Sequence, residues 1–408
     1  MTGRLAAARA RVAACTPFVA VAGLSARMLA QSAAQAGYQV AALDVFGDRD
    51  TRRYAKLWID IGGARLSIDP DKLHAALERV TRLPRLLGLI AGSGTEPHLA
   101  ALHRMSRLPR LIGSDAHATA TVRDPARFFA LLDELGIAHP EVAFERPAHP
   151  GGWLRKHADG CGGTHVVPLG NADEHSSGYF QRVQKGLPMS ALFLAARREV
   201  SIVGFAEHRC IASGALPYVH AGSLGPVDLP ARIAGQIDYA VRSIAARASL
   251  RGLNSLDFLL DGDAISVLEI NARPSSTMAL YERASRDAWP RGLVAAHIDA
   301  CLHERLPGGR NGAPQCRVAQ QVVFAAHTLS VTRRLSDTLF VDPVCHDIPN
   351  RGTRIEAGQP VCTVLVTGDS TAALSRELQR HTQRLLQRLS PTIDTRTEPC
   401  HELVDTHG

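Results

Sequence analysis

The chain has 408 residues, 45% of them hydrophobic and 21% charged, with a formal net charge of +7. That length suits two or three domains around sizeable cores, and no apolar run reaches the roughly 18–20 residues of a membrane-spanning helix, so no membrane partner is expected. The positive charge is nearly all arginine (the lysines are Lys56, Lys72, Lys156 and Lys185), scattered singly among carboxylates, which argues against nucleic acid as a partner and leaves weak attraction to small anions.

Met1 to Cys15 carries arginines and alanines but no apolar run followed by a small-residue cleavage site, so a secretory leader is not expected and a cytoplasmic location is. Pro17 to Gly23 reads as a short buried strand, Met28 to Ala36 as a helix closed by Gly37, and Gln39 to Val45 as a second apolar strand. Strand, helix and strand in that order predict a βαβ unit with a parallel sheet. Arg85 to Ala91 adds another strand, crested by Gly92-Ser93-Gly94. The first turn holds only Gly23 and no G-x-G-x-x-G, so it reads as a tight βα turn and not as a dinucleotide site. An open α/β domain over residues 1–118 follows.

Asp124-Pro125 opens a helix over Ala126 to Leu135, with Asp124 as N-cap and Pro125 in the first turn. A second domain is expected over 119–306. Gly152-Trp153-Leu154-Arg155-Lys156 reads as a strand ending in lysine, followed by Asp159-Gly160-Cys161-Gly162-Gly163-Thr164. Glycines let backbone N–H groups turn inward around phosphate oxygens, and an adjacent lysine adds a point charge; a plain surface turn is the competing reading. Glu207-His208-Arg209 follows an apolar strand, Glu199 to Ala206, and either lines a site or sits satisfied on its rim. His220 and Ser223 read as part of a glycine-containing loop that could meet a substrate.

The strongest pattern comes next. Leu256 to Leu260, Asp261-Gly262-Asp263 and Ala264 to Ile270 read as strand, turn and strand, running on into Glu269-Ile270-Asn271-Ala272-Arg273-Pro274. Side chains alternate faces along a strand, so Glu269 and Asn271 share a face, and Asp257 can join them from the neighbouring strand. Two carboxylates and an amide oxygen make a hard-oxygen site for Mg²⁺, which keeps several waters and takes phosphate oxygens. Arg273 just beyond can grip a phosphate or carboxylate with two hydrogen bonds.

Pro307 to Pro314 reads as a linker. The apolar runs Arg317–Ala325 and Pro360–Val366 predict a small β-rich domain over 307–408, closed by an amphipathic helix from Ser375 to Leu389 and a loose tail. Eight cysteines occur with no C-x-x-C pair, against a zinc ribbon or thioredoxin-type centre. There is no H-E-x-x-H and no G-x-S-x-G, so zinc and serine hydrolases lack an anchor.

Lys156 with its glycine-rich loop, followed downstream by Glu269-x-Asn271-x-Arg273, resembles the ATP-grasp superfamily. The resemblance implies an N-terminal α/β domain, an ATP-grasp fold of two α+β subdomains and a small β-rich C-terminal domain. It implies ATP and Mg²⁺ as cofactors, with Asp257, Glu269 and Asn271 on the metal, Lys156, Gly160, Gly162 and Gly163 on the phosphates, and Arg273 at the reacting groups. Tyr179 to Gly186 is similar to the family's adenine-linker strand, which places Gln181 and Val183 at the adenine. Arg123 stands where many members carry a phosphate-contacting lysine, and Pro188 where a ribose-binding acid is usual; both are departures.

The chain looks like the ATP-dependent carboligases related to biotin carboxylase, on Ser25-Ala26-Arg27, Phe46-Gly47-Asp48 and Gly222 to Pro226. Some members of that group are linked to one-carbon cofactor synthesis. The activity implied is a carboxylate–amine ligase acting through an acyl phosphate, with small-molecule carboxylate and amine substrates and a second copy of the chain as a candidate partner. A biotin-carboxylase-like enzyme phosphorylating bicarbonate is the first alternative, and a non-catalytic ATP-binding protein the second. No lysine follows Arg317, so the C-terminal region cannot carry its own biotin.

Overall fold

The computed structural model describes residues 16–64, 67–103, 108–170, 178–197, 199–213, 216–308 and 314–389. The readings of Met1–Cys15 and of the tail beyond Leu389 lie outside them, as do residues 309–313 of the linker.

Four strands, β1 (Phe18–Gly23), β2 (Gln39–Asp44), β3 (Leu57–Asp60) and β4 (Leu86–Ala91), form a parallel sheet in the order β3-β2-β1-β4. Helices α1 (Arg27–Gln35), α2 (Arg49–Tyr54) and α3 (Pro70–Val80) connect them. β1 is buried along its whole length, and its period of two divides it between two cores. Val19 and Val21 pack with α1 and the following domain, Ala20 and Ala22 with α3. Helices α4 (Glu96–His103), α5 (Ala116–Arg123) and α6 (Pro125–Glu134) lead out of this sheet. Asp124 caps α6 by accepting from Arg127 N at 3.1 Å, with Pro125 in the first turn, where its missing N–H costs nothing.

A small antiparallel sheet follows, β5 (Val142–Ala143), β6 (Trp153–Lys156), β7 (Val166–Pro168) and β8 (Tyr179–Arg182), in the order β5-β8-β6-β7. Beside it stands a large antiparallel sheet begun by β9 (Leu187–Ala196), β10 (Glu199–Ser213), β11 (Leu216–Gly225), β12 (Gly252–Asp261) and β13 (Ala264–Asn271). Helices α7 (Ala231–Ala248), α8 (Met278–Ala284) and α9 (Gly292–His303) pack on it. Alternation along β9 sends Leu192 and Leu194 toward the N-terminal sheet, and Ala191 and Phe193 toward α7.

The chain then returns to the same sheet. β14 (Arg317–Phe324) pairs with β11, and β18 (Pro360–Gly368) and β16 (Cys345–His346) extend it to eight strands, β13-β12-β9-β10-β11-β14-β18-β16. β15 (Leu329–Ser330) and β17 (Arg354–Ile355) form a separate ribbon, and α10 (Arg333–Val341) and α11 (Thr371–Leu389) complete the element list. This last region has its own core of Val323, Val331, Leu339, Val361, Val364 and Leu378.

Two expectations need correction. Glu207 to Arg209 do not follow a strand: β10 runs 15 residues through them to Ser213. His220 and Ser223 are not in a loop but within β11. β10 pairs with β9 up to Glu207 and with β11 from Glu207 to Ser213, so backbone pairing with β11 carries the strands past the point where the apolar pattern stops.

Candidate active site

The face of the large sheet toward the N-terminal domain carries the polar cluster. β12 and β13 are antiparallel in a register that sets Asp257 opposite Glu269 and Ser255 opposite Asn271. Facing residues share a side, so Asp257, Glu269 and Asn271 converge. Asn271 Nδ2 donates to Asp257 Oδ2 at 3.1 Å and to Glu269 Oε1 at 3.4 Å, and Arg273 Nη2 donates to Asn271 Oδ1 at 2.9 Å. The row continues across the sheet, Ser190 on β9 standing opposite both Asp257 and Ala206.

Lys156, at the end of β6, faces this row from the small sheet. It is 6% exposed, and its Nζ donates to Gln181 Oε1 at 3.1 Å. Burial pulls its pKa below the usual lysine range, while the charges of Glu269 and Asp257 act the other way. The two carboxylates diverge. Burial and the Asp257 charge push Glu269 above the ordinary range. Burial pushes Asp257 the same way, but His208, His220 and Arg273 outweigh it and hold Asp257 below. His208 Nε2 lies 3.6 Å from Asp257 Oδ1, and its Nδ1 is 3.0 Å from Ser223 Oγ. His220 packs edge-on against His208 at 4.9 Å, and burial and that neighbour lower its pKa to about 4, so it is neutral at physiological pH.

The glycine-rich segment between β6 and β7 lies down over the cluster. Gly162 O accepts from His220 N at 2.9 Å, and Gly160 O from Arg123 Nη2 at 3.3 Å. Gly163 has φ +75°, and a Cβ there would stand 1.8 Å from Tyr218 O. Only glycine permits that approach. Among the described residues no acceptor takes the N–H of Cys161, Gly162 or Gly163, while that of Gly160 goes to His157 O at 3.3 Å.

The residues singled out in the sequence therefore divide. Lys156, Gln181, Asp257, Glu269, Asn271 and Arg273 come together, with Arg123 and Gly160 to Gly163 on the rim. Val183 does not join them. It lies past the end of β8, 48% exposed, with its N–H donated to Gly152 O at 2.8 Å. Two residues at the site, Glu96 and Ser190, escaped sequence reasoning. Glu96, at the start of α4, accepts from Arg273 Nε at 2.7 Å. Ser190 is a lone polar residue inside an apolar strand. His208, left undecided by the sequence, sits against Asp257.

The arrangement suits Mg²⁺ and a nucleotide phosphate chain. Among the described residues, Gln181 Nε2, Arg123 Nε and Ser190 Oγ are buried with no hydrogen-bond partner. Among the described residues no three His, Cys, Asp or Glu side chains converge on one point as a closed metal cage. Two carboxylates alone suit a cation that completes its shell with water and phosphate. Asn271 turns its amide NH₂ toward the carboxylates, so ligation through Oδ1 requires that amide to rotate and release Arg273.

Comparison with known proteins agrees with this geometry. Residues 122–277 match the ATP-grasp domain model. Among solved structures the chain is similar to biotin carboxylase from Campylobacter jejuni in a β,γ-ATP complex, at 13% identity and TM-score 0.66 over 91% of this chain and 94% of that one. It is similar to N5-carboxyaminoimidazole ribonucleotide synthetase from Thermus thermophilus, at 17% identity and TM-score 0.63 over 92% and 99%. The biotin carboxylase domain dimer of Hydrogenobacter thermophilus 2-oxoglutarate carboxylase, a complex with MgADP, ADP and bicarbonate, aligns at 11% identity and TM-score 0.68 over 91% and 94%. The sequence matches none of the curated proteins. At these identities the structural likeness establishes the fold: the chain carries an ATP-grasp domain within an architecture shared along nine-tenths of its length.

Proposed function

We propose that this ATP-grasp protein is a MgATP-dependent carboxylate–amine ligase that forms an acyl phosphate and releases ADP and phosphate. The observation that carries the reading is the pair of half-buried carboxylates, Asp257 opposite Glu269, facing a buried lysine under a glycine-rich loop. Two adjacent carboxylates in a desolvated site repel one another, and a divalent cation relieves that repulsion.

Asp257 and Glu269 would hold Mg²⁺, with Asn271 once its amide has turned, and the ion would supply charge neutralisation to the nucleotide's phosphates. Lys156 and the free amides of Cys161, Gly162 and Gly163 hold those oxygens, and Arg123 supports the loop and the phosphates together. Gln181 presents its unpartnered Nε2 to the nucleotide. Arg273 orients the substrate carboxylate and stabilises the oxyanion that forms as the amine attacks. The loop, by lying on β11 and α5, keeps water from the acyl phosphate.

The test is a screen for ADP release with bicarbonate alone and with pairs of carboxylates and amines. ADP release that requires both a carboxylate and an amine, lost in Glu269→Gln, is the expected result. Release that needs bicarbonate and no amine would replace the ligase with a carboxylating enzyme. ATP binding without turnover on any pair would leave an ATP-binding protein only.

A further inference from the structure

Glu96 belongs to the N-terminal domain, on the first turn of α4, yet its carboxylate is committed across the interface. Its Oε2 accepts from Gly94 N at 2.7 Å and its Oε1 from Arg273 Nε at 2.7 Å. Arg123 Nη1 stands 3.9 Å from the same Oε1. The Glu96 and Arg273 side chains are 6% and 11% exposed, so the pair is shielded from solvent. From Arg273 the chain of hydrogen bonds runs to Asn271 Oδ1 at 2.9 Å, then through Asn271 Nδ2 to Asp257 and Glu269. A guanidinium thus sits one side chain away from two carboxylates, and arginine pairs with carboxylates through two parallel bonds where it can reach them.

We propose that Glu96 is a positioning residue: by tethering Arg273 it keeps that guanidinium from pairing with Asp257 and Glu269, and so leaves both carboxylates open to a divalent cation. The inference rests on the metal role proposed above for that pair. Without Glu96 the guanidinium swings one hydrogen bond further and competes with the metal. The same loss of a negative charge makes the site no less attractive to a metal-free nucleotide, so the effect is selective for the cation.

The experiment measures binding of ADP with and without Mn²⁺, reading free Mn²⁺ by electron paramagnetic resonance and ADP by calorimetry. Glu96→Ala is expected to weaken Mn²⁺-ADP about tenfold and metal-free ADP less than about twofold, with Glu96→Asp restoring most of the loss. In an Arg273→Ala background, Glu96→Ala should add less than about twofold, because the competing cation is gone. An equal loss with and without Arg273, or a loss shared by metal-free ADP, would reduce Glu96 to a structural contact and overturn the inference. A wild-type protein that binds ADP without any Mn²⁺ dependence would remove the metal role itself, and the inference with it.

Discussion

Glu269 and Asp257, half-buried, and Lys156, buried, are three ionisable groups within reach of one another, and at the scale of single residues their charges decide the behaviour of the site. Glu269→Gln removes a ligand charge without changing shape, so turnover should fall about 10²–10³-fold, as when a charge-stabilising donor is lost, while the melting transition stays cooperative. Steady-state ADP release and a thermal melt check it together. Lys156→Ala should raise KM for ATP and lower kcat, since Lys156 acts on bound phosphates in ground and transition states alike. Unchanged kinetics in that variant would return Lys156 to a packing role. The sequence shows Asp257, Glu269 and Asn271 on one face, with Arg273 just beyond, because strand alternation is a local rule. It hides Glu96, which reads as an ordinary acidic residue in a first helical turn, and Ser190, which reads as a tolerated hydroxyl in an apolar strand. Both gain their place from register and domain contact, which no local pattern encodes.

At the scale of elements, the glycine-rich loop offers a sharp comparison. Gly162 and Gly163 both have positive φ, at +63° and +75°. A Cβ on Gly162 meets nothing within 4 Å, whereas one on Gly163 would collide with Tyr218 O. Gly163→Ala should therefore prop the loop off β11 and lower kcat at least about tenfold, while Gly162→Ala, burdened only by backbone strain of about 1 kcal/mol, should stay within a few-fold of wild type. Comparing kcat of the two variants is the check; equal effects would mean that the loop does not close on β11 during turnover. The strands with clean alternation or apolar runs, β1, β2, β4, β12 and β13, are legible in the sequence. The full length of β10 is not, since its distal half is polar or exposed and is held by pairing with β11, the β9 pairing having ended at Glu207. α2 is hidden as well: Arg49-Asp50-Thr51-Arg52-Arg53-Tyr54 has no apolar stripe, and it forms where Asp50 is engaged from the far end of the chain.

At the scale of the molecule, that engagement closes the N-terminal sheet onto the last strands. Arg27 donates to Asp347 at 2.9 and 3.2 Å, and Asp50 accepts from the amides of Asp347 and Ile348 at 2.8 and 3.0 Å. Asp48 lies in the same cluster, 6% exposed, and burial together with Asp347, Asp50 and Asp44 pushes its pKa well above the usual carboxylate range. A raised folded-state pKa means that the native state holds its proton where the unfolded state has lost it, so stability declines as pH rises from the unfolded toward the folded value. Asp48→Asn should then raise stability at pH 8, by an amount of the order of 1 kcal/mol, and change it little at pH 4. Melting temperatures at the two pH values test this, and equal shifts at both would contradict it. The sequence marks 307–408 as β-rich, but not that its strands continue the preceding sheet, because the pairing of β14 with β11 joins segments about ninety residues apart across a helix, a hairpin and two more helices. Across this whole frame, the central claim is that a carboxylate is activated by γ-phosphoryl transfer between Lys156 and the Asp257–Glu269 pair. The most direct measurement is the identity of the nucleotide product in a turnover reaction, resolved by ³¹P NMR: the account predicts ADP and inorganic phosphate in equal amounts, and AMP with pyrophosphate would contradict it.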